Sequence, residues 1–64
     1  MTILPTAEYA AARSRITRRL ATYDRGIKRA AREGDDEALD ALSDAYMFAH
    51  SERDALDRAQ RRAR

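Results

Sequence analysis

Very little in this chain can stop a helix. Two glycines and one proline are its strong breakers in 64 residues, and their positions leave two long uninterrupted stretches. Pro5 precedes Thr6, a side chain suited to an N-cap, and Ala7 to Glu33 then contains no strong breaker except Gly26. Gly34 can take the left-handed conformation that ends a helix. Asp35 and Asp36 offer caps for the next helix, and Glu37 adds negative charge to its first turn. This punctuation predicts helix 1 over about 7–33, a turn at 34–35 and helix 2 over about 36–63, in a single domain spanning 1–64. A connection this short returns long helices antiparallel.

The apolar pattern agrees. Tyr9, Ile16, Leu20, Tyr23, Ile27 and Ala30 follow steps of four and three after the first interval, where Arg13 stands at the position an apolar residue would occupy. Leu39, Leu42, Ala45, Tyr46, Ala49, Leu56 and Ala63 form the matching stripe, interrupted by Glu52 and Arg53. Folding at Gly34 pairs Ile27 with Leu42, Tyr23 with Tyr46, Leu20 with Ala49, and Arg13 with Leu56. The expected fold is all-α, an antiparallel two-helix hairpin with a coiled-coil-like seam, better packed near the turn than at its open end. The run from Ala30 to Leu39 resembles the helix-turn-helix junction of ankyrin-type and other helical-repeat proteins. The threonine-proline-leucine-histidine stretch of an ankyrin repeat and a second copy at a fixed period are absent, so the likeness is one of turn chemistry.

Such a hairpin has a thin core. Hydrophobic residues make up 44% of the chain, but half of them are alanine, and a chain this short seldom buries enough apolar surface to be comfortably stable alone. Without cysteine, neither a disulfide nor a thiolate metal site can make up the difference. Association is what remains, and helix 2 carries a surface for it. Ala41, Ala45, Phe48, Ala55 and Ala59 form a second row displaced from the seam, and a helix apolar over two stripes touches two neighbours. Phe48 is the natural anchor of this row. The expected completion is a four-helix bundle formed by dimerisation, or docking on a larger protein.

Catalytic chemistry has few residues to work with. His50 and Asp54 could donate two metal ligands at one-turn spacing, whereas a zinc site needs at least about three. Asp35, Asp36, Glu37, Asp40 and Asp44 cluster at the turn without calcium-loop spacing. Capping explains the first three, and pairing with helix 1 arginines is expected for Asp40 and Asp44. Ser14, Ser43 and Ser51 have only His50 as a histidine base, and no glycine-rich phosphate loop is present. The expectation is a protein that is not an enzyme, with no cofactor, metal or small-molecule substrate. Met1 to Pro5 lacks the basic start and apolar stretch of a signal peptide, and the longest apolar runs are a few residues. A soluble, cytoplasmic protein with no membrane partner is expected.

Charge is distributed unevenly. Residues 7–34 hold eight basic and three acidic side chains, while residues from 35 onward hold five basic and eight acidic. Arg15, Arg18, Arg25, Arg29 and Arg32 lie mostly opposite the apolar seam, with Thr22 and Lys28 among them. Such a row can meet an acidic protein or neutralise phosphates without reading bases, which would make nucleic-acid binding salt-sensitive and weakly specific. Its bland alternative is a solvated face whose arginines answer helix 2 acids. The sequence thus favours a small protein-interaction or assembly subunit. A phosphate-contacting regulatory protein and an inhibitor or adaptor that folds on its target are the two other expectations.

Overall fold

The computed structural model describes residues 5–62. Two helices, α1 (Thr6–Glu33) and α2 (Asp36–Arg62), make up the described chain, which is drawn out to 45 × 17 × 12 Å. No helix among the described residues is long and apolar enough to cross a membrane. Cross-helix contacts run in descending order, from Tyr9 to Asp57, Thr17 to Arg53 and Arg19 to Glu52, so the helices are antiparallel. Both helix boundaries at the turn agree with the sequence reading. Ala63, the last residue of the expected stripe, lies outside the described residues, as do Met1 to Leu4.

Gly34 makes the reversal possible. Its φ of 69° is left-handed, and the following amides turn back onto the end of α1: Gly34 N–H donates to the Ala31 carbonyl at 3.4 Å and Asp35 N–H to the Ala30 carbonyl at 2.9 Å. That pattern satisfies carbonyls the helix would otherwise leave open. Asp35 then caps α2, its Oδ1 accepting from Ala38 N–H at 3.1 Å while its carbonyl accepts from Leu39 N–H at 3.0 Å. Asp36 is already helical and adds charge beside Glu37 in the first turn.

The start of α1 differs from expectation. Thr6 is the first helical residue and not the cap; Pro5 holds that place with φ −54° and ψ 152°, and no side chain caps the helix. Proline's restricted φ suits this junction, and the Pro5 carbonyl accepts the first helical bond from Tyr9 N–H at 2.9 Å.

The core is small, as the alanine count implied. Leu20, Ala30 and Ala49 are the buried hydrophobic residues, at 5%, 4% and 0% exposure, and all sit in the middle or at the turn end of the hairpin. Leu20 and Ala49 occupy the level where the predicted register pairs them. Near the turn, Gly26 gives room to Leu42: a Cβ at Gly26 would lie 3.0 Å from Leu42 Cδ1. Tyr23 and Tyr46, level in the same register, make no ring contact with each other among the described residues. Tyr46 stacks on His50 of its own helix with ring centroids 6.3 Å apart.

Gly34→Ala should cost about 1 kcal/mol, because a Cβ is unfavourable in the left-handed region, and Gly34→Asn should cost less. Denaturant melts of the three proteins check this. Equal midpoints would show that the turn does not depend on the glycine.

Candidate interaction surfaces

Where the hydrophobic seam runs out, polar side chains close the hairpin. Arg13 stands at an apolar position of α1 and reaches Asp57, with Nε 3.1 Å from Oδ1. The Tyr9 hydroxyl donates to the same Oδ1 at 2.6 Å. Hydrogen bonding from Tyr9, reinforced by Arg13, holds the Asp57 carboxyl below its usual range against the opposing effect of partial burial. In return, accepting these bonds, Asp57 pushes Tyr9 and Arg13 above their usual ranges. Asp57 was not among the residues the sequence singled out. The signal was present in the register, which sets Arg13 beside Leu56 and hence within reach of its neighbour.

One level closer to the turn, Arg53 Nη1 approaches Thr17 Oγ1 at 3.5 Å, and Arg19 Nη2 lies 3.6 Å from Glu52 Oε1. That oxygen is shielded from solvent and has no hydrogen-bond partner, so its compensation is ionic. The Tyr23 hydroxyl, then Glu52, raises the pKa of Arg19 above its usual range. Glu52 and Arg53, which interrupt the apolar stripe, therefore serve as cross-helix contacts.

Beside this zipper on α2 runs the row expected to bind a partner. Phe48 is 66% exposed and Ala41 is exposed, while Ala45, Ala55 and Ala59 are half-buried along the edge of the seam. The five residues thus form a band that begins beside α1 and opens outward at Phe48. Met47 adds a second large apolar side chain at 67% exposure. Sequence periodicity passed over Met47 because it is about 100° around the helix from Phe48 and belongs to neither stripe.

The expected pairing of Asp40 and Asp44 with arginines of α1 does not occur. Both are exposed, and the cross-helix ion pairs use Asp57 and Glu52. These two aspartates lie on the outer side of α2, beyond the reach of α1 side chains. His50 Nδ1 lies 3.4 Å from Asp54 Oδ2 on the exposed surface, and no group of three or more metal-binding side chains occurs among the described residues.

The arginine row of α1 is exposed throughout. Arg29 is engaged by Glu33 at 3.2 Å and Lys28 by Asp24 at 3.0 Å, both within the helix. Arg25 Nη2 donates to Thr22 Oγ1 at 3.3 Å, and that hydroxyl donates to the Arg18 carbonyl at 3.1 Å. Arg15, Arg18 and Arg32 form no salt bridge among the described residues. Arg15, Arg18 and Arg19 surround an open concavity of about 490 Å³ with Thr22 and Tyr23. A neighbouring concavity of about 510 Å³ is lined by Tyr9, Ala10, Arg13, Ser14, Thr17 and Arg18.

The Asp57 cluster makes stability pH-dependent. Its carboxyl pKa is lower folded than unfolded, so the unfolded chain binds the extra proton and stability falls as pH drops below about 4. Asp57→Asn should lower the thermal midpoint at neutral pH and lose less than the native chain on acidification from about pH 5 to 3. Parallel pH profiles for the two proteins would contradict that role. Compared with family models, curated proteins and solved structures, the chain matches none.

Proposed function

We propose that this chain is a non-enzymatic protein-interaction subunit that works by burying the outer face of α2 in an assembly, completing a four-helix bundle. The observation that carries this reading is the exposure of Phe48 and Met47, each about two-thirds open, on a hairpin whose own seam buries one leucine and two alanines. A hairpin with so little interior gains most from a further helical layer. Burying a phenylalanine side chain contributes on the order of 2 kcal/mol, and the alanines at positions 41, 45, 55 and 59 permit the close approach that such burial requires.

Sedimentation equilibrium tests the proposal. The native chain should sediment as a dimer or higher oligomer at low and high salt, because apolar contact is only weakly screened, and Phe48→Asp should return it to a monomer with its helicity largely retained. A native monomer, or a variant with unchanged mass, would defeat the reading.

A second reading is supported by the unanswered charge of Arg15 and Arg18. Both line one concavity, beside the Arg19 that Glu52 engages, and two guanidinium groups so placed suit phosphate oxygens. As a nucleic-acid-contacting surface it would bind duplexes of different sequence alike and lose affinity steeply between about 50 and 200 mM salt. Fluorescence anisotropy with a labelled duplex checks this: Arg15→Ala with Arg18→Ala should weaken binding and flatten the salt dependence. Absence of binding by the native chain at low salt would remove the reading.

A further inference from the structure

The charges that the hairpin leaves unanswered on α2 are sorted along its length. Asp36, Glu37, Asp40 and Asp44 occupy its first half, Arg58, Arg61 and Arg62 occupy its end, and Phe48 lies near the middle. All seven charged residues are exposed. Among the described residues none forms a salt bridge, although Arg61 helps to lower the Asp57 pKa. The helix dipole accounts for part of the sorting, since it favours acids in the first turn and bases in the last. It does not reach Asp40 and Asp44, which lie beyond the first turn, or Arg58, which precedes the last.

We propose that the partner of the α2 face is a second copy of this chain, packed antiparallel about a two-fold axis passing near Phe48. This inference rests on the reading of that face as an interface and adds the partner and its orientation. A two-fold contact uses the same patch on both copies. Ala41 and Ala55 are each seven residues from Phe48, so Ala41 of one copy meets Ala55 of the other, small residue against small residue. The same symmetry sets Glu37 and Asp40 of each copy beside Arg58 and Arg62 of the other, at both ends of the contact. Parallel packing would instead lay acid on acid and base on base. One like-charged approach remains in the antiparallel arrangement, Asp44 to Glu52 of the other copy, and Glu52 is already engaged by Arg19 of its own chain.

Cysteine cross-linking distinguishes these arrangements, because the chain has no native cysteine. Ala41→Cys and Ala55→Cys, one of them mass-tagged, are oxidised separately and as an equimolar mixture. A disulfide requires Cα atoms within about 7 Å, so the mixture should give roughly tenfold more mixed disulfide than either protein gives of its own homodimer. Dominant 41-to-41 and 55-to-55 products would overturn the antiparallel arrangement while leaving the α2 interface standing. A native chain that sediments as a monomer, with no cross-link in any sample, would overturn both. Charge reversal gives a second readout: Glu37→Arg with Asp40→Arg, and Arg58→Glu with Arg62→Glu, should each dissociate alone and associate when mixed. Failure of the mixture to associate, with both proteins helical, would count against the pairing.

Discussion

Two helices laid side by side share one line of contact, and everything else about this molecule depends on how little that line can enclose. Each helix has one neighbour, so a side chain is covered from one direction and open from the rest. Among the described residues only Leu20, Ala30 and Ala49, which lie on that line, become buried. Bulkier residues such as Ile16, Ile27, Leu42 and Leu56 remain half-covered. The helices come close where a side chain is missing, at Gly26 against Leu42, and the seam turns polar toward its open end. There the Tyr9, Arg13 and Asp57 cluster replaces apolar packing with directed hydrogen bonds, which hold a register without excluding much water.

This geometry also sorts the charges by role. Acids that can reach α1 are neutralised across the seam, as Glu52 and Asp57 are. Asp40 and Asp44 on the far side of α2 form no ion pair within the hairpin, and neither do Arg15 and Arg18 on α1. The basic outer surface of α1 and the end-sorted outer surface of α2 consequently present different chemistry to other molecules. Apolar area accompanies charge only on α2, at Met47 and Phe48, and that coincidence places the proposed protein interface there and not on the arginine row.

Much of the architecture was legible because helix punctuation and a repeat of three and four are local properties. Gly34 announced the turn, and the register that follows from it put Leu20 level with Ala49. Side-chain partners were less legible, since a register places two backbones opposite each other without deciding where long side chains reach. Arg13, set level with Leu56 by the register, bonds Asp57, and Asp40 and Asp44 pair with none of the arginines that a count of charges would give them. Thr6 lost the capping position because the restricted backbone of Pro5 already supplies the geometry. Met47 was not legible, because a residue outside every stripe carries no periodic signal and its 67% exposure follows only from the packed structure.

The central claim is that the fold is completed by association through α2, and the concentration dependence of thermal unfolding tests it most directly. If folded chains are stabilised by one another, the midpoint must rise with protein concentration, by about 10 °C across a hundredfold range for a dimer of this size. A midpoint that stays constant over that range would show that the thin seam between α1 and α2 suffices alone, and that the exposed face of α2 is not what holds the molecule together.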